Sequence, residues 1–214
     1  MGAVNLKPVG AILAGGASRR MGRDKASVTL HDRALVIHVA EALECAGCEP
    51  VVVGREVPLL GLLSIPDLPT SGAGPAVGLL TALTFAAGRC VVLTAVDQPL
   101  LRPLTVEGLL SIKGDIVVPV EMGIPQVTCA LYRAPCLDTL RGILQRVPSS
   151  SMRRLLAKSN TTLVFPGTWQ MWGEDGTSWL SLDTPQALAE AHAHRQTHSL
   201  PAASEMSQEG SWIG

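Results

Sequence analysis

A short stretch near the N terminus combines glycines with cationic side chains. It contains Gly15, Gly16, Gly22, Arg19, Arg20, Arg23 and Lys25. Glycines let the backbone approach an anion so that N–H groups can point at it, and lysine or arginine adds positive charge near phosphate oxygens. The stretch therefore predicts a phosphate-binding turn in which Lys25 and Arg20 contact the phosphates. It matches neither the Walker A pattern nor the dinucleotide fingerprint, because the lysine comes three residues after Gly22 and the first two glycines are adjacent.

A carboxylate stands at the end of an apolar run further along the chain. Residues 91–96 are apolar apart from Thr94, Asp97 follows them, and Pro99 ends the segment. Mg²⁺ is usually held by one or two carboxylates together with substrate phosphates. Asp97 at the carboxyl end of a buried strand is therefore a candidate Mg²⁺ ligand. The alternative is an ordinary turn aspartate, because an Asp-x-Pro segment is a weak signal by itself.

A second loop with glycines runs over residues 67–78. Asp67 opens it, Gly74 and Pro75 stand where a helix is expected to begin, and Gly78 lies one turn further on. A glycine at that point could let the backbone approach a ligand closely. Acidic residues are common in loops, so Asp67 alone does not identify a binding site.

The segments that must position these residues alternate between strand and helix patterns. Strands are expected at residues 9–13, 51–53, 62–65, 90–95, 115–119, 127–133 and 161–165, and helices at 31–46, 76–87, 105–112, 135–146, 151–158 and from Pro185 onward. This alternation predicts an α/β fold, a three-layer α/β/α sandwich around a mostly parallel sheet. In such sheets, ligands bind where loops leave the carboxyl ends of the strands. We expect one domain over residues 1–195 and a polar, disordered tail over residues 196–214.

The composition of the chain narrows the classes of function. Hydrophobic residues make up 47% of the 214 residues and aromatic residues only 3%, so the core must consist mainly of aliphatic side chains. A net charge of −1 provides no global basic field, and nucleic acid is not expected as a partner. No segment approaches the ~20 apolar residues of a membrane span. The five cysteines are scattered, as in proteins that keep their thiols reduced, and we expect a cytoplasmic protein without membrane association.

The glycine-rich turn and three further segments resemble one known family. Residues 13–25, Leu-Ala-Gly-Gly-Ala-Ser-Arg-Arg-Met-Gly-Arg-Asp-Lys, are similar to the signature of Rossmann-like nucleotidyltransferases, and most of all to the molybdenum cofactor guanylyltransferase family. The other segments are residues 67–78, 94–101 and 181–185, which resemble the family's Gly-Pro loop, its metal-binding Asp-x-Pro segment and its Asn-x-Asn/Asp-Thr-Pro motif. The resemblance implies Mg²⁺-dependent transfer of GMP from GTP to the phosphate of Mo-molybdopterin, with pyrophosphate as the second product.

The resemblance also assigns roles to individual residues. Catalytic roles fall to Lys25, Arg20 and Asp97, and Asp97 and Asp183 are the candidate metal ligands. The expected nucleotide-binding residues are Leu13, Ala14, Gly15, Gly16, Lys25, Gly54, Asp67, Gly74, Pro75, Gly78 and Asp97. Asp183 could equally be the N-terminal cap of the last helix, because aspartate and threonine are both favourable caps.

Two departures from the family pattern leave other functions open. Gly54 stands where guanylyltransferases often have an asparagine that reaches the base, and Ser181 replaces the first asparagine of the last motif. A molybdopterin cytidylyltransferase, or another nucleotidyltransferase acting on a small phosphate, is the first alternative. The second is a non-catalytic nucleotide-binding adaptor in cofactor delivery. GTP and molybdopterin are the expected small-molecule partners, and molybdoenzymes or their chaperones are the candidate protein partners.

Overall fold

A mixed β-sheet with helices on both faces forms the body of the protein. The computed structural model describes residues 6–14, 28–54, 61–70, 74–146 and 151–196. The strands in these ranges are β1 (Val9–Leu13), β2 (Thr29–Leu30), β3 (Arg33–Ala34), β4 (Glu49–Val53), β5 (Leu63–Ile65), β6 (Val91–Ala95), β7 (Ile116–Glu121), β8 (Ile124–Pro125), β9 (Cys129–Tyr132) and β10 (Thr161–Val164). The helices are α1 (Leu35–Cys45), α2 (Pro75–Ala86), α3 (Pro103–Ser111), α4 (Cys136–Arg146), α5 (Ser151–Lys158), α6 (Pro166–Trp169) and α7 (Pro185–Gln196).

The sheet is mostly parallel and places several strand ends at one edge. Its order is β10-β7-β9-β6-β1-β4-β5, and β8 pairs with β7 outside this path. Strand β1 runs parallel to both β4 and β6, β4 runs parallel to β5, and β10 runs parallel to β7. Strand β9 is antiparallel to both of its neighbours. The carboxyl ends of the other strands in the path therefore share one edge, where α/β sheets bind ligands.

The sheet separates two apolar layers, because alternate side chains of each strand point to opposite faces. In β6, Val92 packs in the layer with α1, α3 and α7, whereas Val91 and Leu93 pack in the layer with α2, α4 and α5. Strand β4 alternates in the same way. Burial on both faces explains why these strands read as continuous apolar runs in the sequence. The predicted α/β class and the mostly parallel sheet are confirmed.

The first predicted helix begins later than expected. Residues 31–46 were expected to be helical, but the helix begins at Leu35, and the preceding residues form the antiparallel pair β2–β3. His31 and Asp32 form its turn with φ values of 50° and 62°, which are incompatible with a right-handed helix. Strand β8 and helix α6, which are only two and four residues long, were not predicted from the sequence.

No helix within the described ranges is both long enough and apolar enough to span a membrane.

Candidate active site

The predicted phosphate-binding turn begins beside the segment that carries Asp97. Strands β1 and β6 are adjacent and parallel, and Leu13 is in register with Ala95. The Val96 N–H donates to the Leu13 carbonyl over 3.1 Å, just before Asp97. The two segments therefore leave the sheet side by side at the same edge. The predicted phosphate-binding residues Gly15, Gly16, Arg20 and Lys25 lie outside the described residues.

Strand β1 is paired on its other side as far as its last residues. The Ala14 N–H donates to the Val53 carbonyl over 3.0 Å, one residue beyond the end of the strand. The Gly54 N–H donates to the Ile65 carbonyl of β5 over 2.9 Å. Both amides are therefore engaged by the protein. Any contact of Ala14 or Gly54 with a nucleotide would have to use other atoms.

The N-terminus of α2 approaches this edge through a backbone conformation that favours glycine. Gly74 precedes the helix with φ 80° and ψ −160°, and Pro75 is its first helical residue. This region of φ/ψ space is essentially restricted to glycine. Gly74, the N-cap residue, has no side chain with which to cap the helix start. The sequence pattern Gly-Pro thus marks the turn into α2.

Gly78 fixes how closely α2 packs on the strands. A Cβ atom at this position would lie 2.3 Å from Leu13 Cδ2 and 3.7 Å from Val53 Cγ1. The missing side chain therefore makes room for Leu13, so the first turn of α2 packs against the ends of β1 and β4. This close packing is a structural reason for glycine that the sequence did not reveal. The expected contact of Gly78 with the nucleotide remains a prediction.

Asp67 lies in the loop after β5, and this loop is attached to α2. The Leu68 N–H donates to Thr81 Oγ1 over 3.0 Å, and the Thr81 hydroxyl donates to the Val77 carbonyl over the same distance. Thr81 is buried, and its role was not anticipated because it looks like an ordinary helix residue. Partial desolvation raises the pKa of the exposed Asp67 carboxyl above its usual value. Asp67 thus stands on a segment that is anchored to the helix approaching the site.

The turn that carries Asp97 is bonded to a distant part of the chain. The Leu182 N–H donates to the Asp97 carbonyl over 2.7 Å. Gln98 is buried: its Oε1 accepts from the Ala95 N–H over 3.0 Å, and its Nε2 donates to the Trp179 carbonyl over 3.3 Å. These bonds hold residues 179–182 against the Asp97 turn. This role of Gln98 was not predictable from local sequence, because its partner Trp179 is 81 residues away.

Asp183 directly follows the residue that is bonded to Asp97. Both aspartates are half-buried. The cap of α7 is Thr184, whose Oγ1 accepts from the Ala187 N–H over 3.1 Å, and Asp183 precedes this cap. Of the two roles that the sequence left open for Asp183, the capping position is thus occupied by its neighbour.

Asp97 and Asp183, on two segments joined by a backbone hydrogen bond, suit a hard cation. Carboxylate oxygens are ligands that Mg²⁺ prefers, and one or two of them are enough when phosphates supply the others. Within the described ranges, no cluster of three or more His, Cys, Asp or Glu side chains could hold a metal by itself. The donor set at Asp97 and Asp183 therefore fits a metal that is shared with a phosphate substrate.

Comparisons with known proteins identify the family of this chain. Residues 10–162 match the MobA-like NTP transferase domain. The molybdenum cofactor guanylyltransferase of Rhodobacter capsulatus is 31% identical over 201 residues, which cover 87% of this chain and 95% of that protein. A probable molybdenum cofactor guanylyltransferase of Chloroflexus aggregans is 30% identical, with 92% and 99% of the two chains covered.

Solved structures show the same fold at lower identity. Molybdopterin-guanine dinucleotide biosynthesis protein A from Archaeoglobus fulgidus superposes with a TM-score of 0.75 at 24% identity, covering 88% of this chain and 98% of that one. The 2-C-methyl-D-erythritol 4-phosphate cytidylyltransferase of Thermus thermophilus gives 0.65 at 17% identity, covering 89% of this chain and all of that one. Nucleotidyltransferases typically use a divalent metal ion to neutralise charge on the phosphates. From its sequence match and its fold, the chain belongs to the MobA-like NTP transferase family.

Proposed function

We propose that this protein transfers GMP from GTP to the phosphate of Mo-molybdopterin and releases pyrophosphate. Relatives that are 30% and 31% identical over most of their length are named as molybdenum cofactor guanylyltransferases. The observation that carries the proposal is the adjacency of β1 and β6, which brings the start of the glycine-rich turn next to Asp97. A triphosphate held by that turn would lie within reach of a metal on Asp97.

The reaction needs positioning and charge neutralisation more than a protein nucleophile. An oxygen of the acceptor phosphate attacks the α-phosphorus of GTP, and the bond from that phosphorus to the β-phosphate bridging oxygen breaks. Lys25 and Arg20 bind the β- and γ-phosphates and stabilise the charge on the departing pyrophosphate. Asp97 and Asp183 would hold Mg²⁺, which would supply positive charge next to the phosphates. Orientation of the two substrates supplies much of the rate enhancement.

The remaining predicted residues surround the nucleoside part of the donor. Gly74, Pro75 and Gly78 present the start of α2, and Asp67 lies on the loop that is anchored to the same helix through Thr81. Leu13, Ala14 and Gly54 form the edge of the sheet beneath them. Hydrogen bonds from these segments to the ribose and base would select the nucleotide.

A cytidylyl donor is the second candidate, and Gly54 favours it. Gly54 has no side chain to hydrogen-bond a guanine, and its N–H is already bonded to Ile65. Selection of guanine would then depend on other groups at this edge.

The direct test is the transfer of label from α-³²P-labelled GTP, compared with labelled CTP, to Mo-molybdopterin in the presence of Mg²⁺. We expect a labelled guanine dinucleotide, little product from CTP, and a loss of at least about 100-fold in rate for Asp97→Asn. Preferential use of CTP would replace the guanylyl assignment with the cytidylyl one. Nucleotide binding without transfer from any donor would support the non-catalytic adaptor.

We further propose that the protein acts in the cytoplasm and that residues 1–195 suffice for activity. All five cysteines are free, as expected in the reducing cytoplasm, where we place the reaction. Molybdoenzymes or their chaperones would receive the product. Residues 1–195 would form the catalytic domain, and a chain truncated after Arg195 should keep full activity. A large loss of transfer by the truncated chain would refute this domain assignment.

A further inference from the structure

Glu174 is a buried carboxylate that organises the loop leading to Asp183. Only 3% of the residue is exposed. Its Oε1 accepts from the backbone N–H groups of Asp175, Gly176 and Ser178 over 2.9, 2.7 and 3.3 Å. Its Oε2 accepts from the hydroxyls of Thr105 and Ser178. None of these donors is cationic. A buried carboxylate is costly unless its oxygens are well hydrogen-bonded, and here both oxygens are used to hold one loop in one conformation.

The loop is also attached to α3 and β7. The Arg102 N–H at the start of α3 donates to Ser178 Oγ over 3.0 Å. On the other side, the indole N–H of Trp179 donates to Glu121, at the end of β7. Gly176 has φ 98°, and a Cβ atom there would lie 2.7 Å from Glu121 Oε1, so another residue would be strained and would displace the Glu121 carboxylate. Trp179 also packs edge-on against Trp169, with ring centroids 5.2 Å apart. The loop is therefore held from several directions.

The same loop ends at the metal-ligand candidates. The Trp179 carbonyl accepts a hydrogen bond from the Gln98 side chain. Three residues later, the Leu182 N–H donates to the Asp97 carbonyl over 2.7 Å. Asp183 follows immediately. A continuous path of hydrogen bonds and backbone therefore leads from the Glu174 carboxylate to the two aspartates. Groups that orient metal ligands typically change metal affinity about 10- to 100-fold when they are removed.

We propose that Glu174 is a positioning residue, which holds the loop over residues 174–182 so that Asp183 stays beside Asp97 in the metal site. The hydrogen bonds of the Glu174 carboxylate go to its own loop and to Thr105, so it would act on the two aspartates through the loop. The inference rests on the proposed function, because it requires that Asp97 and Asp183 bind the metal of the metal–nucleotide complex.

The test measures the affinity of the protein for Mn²⁺ in the presence of GTP, by electron paramagnetic resonance, and its melting temperature. Glu174→Ala should weaken Mn²⁺ binding about tenfold. Glu174→Gln should keep most of the affinity, because the amide oxygen can accept from the three N–H groups while the amide nitrogen donates to the two hydroxyls. Thr105→Val removes one hydroxyl donor at nearly constant volume and should cause a smaller loss. It provides the test if the alanine variant does not fold.

A double variant separates positioning from general destabilisation. Because Glu174 acts through Asp183, adding Glu174→Ala to Asp183→Asn should weaken Mn²⁺ binding no further. Leu140→Ala is the control: Leu140 is fully buried on the opposite face of the sheet, so this variant should melt earlier but bind Mn²⁺ as the wild type does.

The possible outcomes distinguish this inference from the proposed function. Wild-type Mn²⁺ affinity in Glu174→Ala or Thr105→Val, or additive losses in the double variant, would overturn the positioning role. If Asp97→Asn and Asp183→Asn also bound Mn²⁺ and GTP normally, the metal site in the proposed function would itself be wrong.

Discussion

Replacing Gly74 by alanine tests whether the entry into α2 depends on a conformation that only glycine adopts easily. With φ 80° and ψ −160°, Gly74 occupies a region that costs other residues about 1–3 kcal/mol. A Cβ atom at Gly74 would meet no atom of the described residues within 4 Å, so steric overlap with them adds nothing. Alanine also lowers the conformational entropy of the unfolded chain, which offsets about 0.4–1 kcal/mol of the strain in the folded state. We therefore expect Gly74→Ala to lower the free energy of unfolding by about 1–2 kcal/mol.

Gly142→Ala is a matched control for this substitution. Gly142 lies within α4, and a Cβ atom there would likewise meet nothing within 4 Å in the part of the chain that the structure describes. Alanine in a helix interior is favoured over glycine by roughly 0.5–1 kcal/mol, so this variant should be more stable than the wild type. The two identical chemical changes should thus shift stability in opposite directions.

Urea unfolding followed by circular dichroism measures both effects, provided that the dependence on urea concentration stays unchanged. A rotation of residue 74 that relieves the strain would also shift the first turn of α2, which packs on Leu13. The Kd for GTP should then rise in Gly74→Ala, by about tenfold for each 1.4 kcal/mol of strain passed to the binding site, but not in Gly142→Ala. Equal or greater stability of Gly74→Ala relative to the wild type would refute the strain argument.

Three further predictions concern pH, thiol reactivity and helix capping. Hydrogen bonds from Thr177 hold the pKa of Asp175 below its usual value, so the ionised form stabilises the folded state. At neutral pH, the free energy of unfolding of the wild type, measured with urea, should exceed that of Asp175→Asn by about 0.5 kcal/mol, a small value because the group is exposed. This difference should vanish as the pH falls through the lowered pKa. Burial raises the pKa of Cys48 to about 12. Iodoacetamide at pH 8 should therefore label the exposed Cys45 and spare Cys48, which mass spectrometry of the labelled native protein would show. Equal labelling of the two cysteines would contradict the burial of Cys48. Thr184→Ala should lower the free energy of unfolding by about 1 kcal/mol, because the helix cap is lost, but should leave the Mn²⁺ affinity unchanged. A loss of metal binding would contradict the assignment of capping to Thr184 and metal binding to Asp183.

The sheet was predictable because its strands are buried on both faces. Apolar runs such as residues 91–96 are typical of strands that are buried on both faces of a sheet, and their alternation with helical patterns predicts a mostly parallel arrangement. The β2–β3 hairpin was missed because its turn uses His31 and Asp32 at positive φ, which helical periodicity does not reveal.

The candidate site was predictable only where its residues follow strand ends. Asp97 could be assigned from the apolar run before it, and Gly74 with Pro75 from the turn chemistry of a helix start. The contribution of Glu174 could not be assigned from the sequence, because its hydroxyl partner Thr105 is 69 residues away and no local pattern links the two. The role of Asp183 was ambiguous in the sequence, since either it or Thr184 could cap α7, and only the hydrogen bond to Thr184 distinguished them.

The central claim is that one edge of the sheet holds a triphosphate in the glycine-rich turn and its metal on Asp97. A crystal structure with Mn²⁺ and a non-hydrolysable GTP analogue tests this directly, because anomalous scattering locates the metal. We predict a manganese peak about 2.1 Å from an Asp97 carboxylate oxygen, with the β- and γ-phosphates next to Lys25. A metal bound away from Asp97, or a triphosphate at the opposite edge of the sheet, would contradict the account.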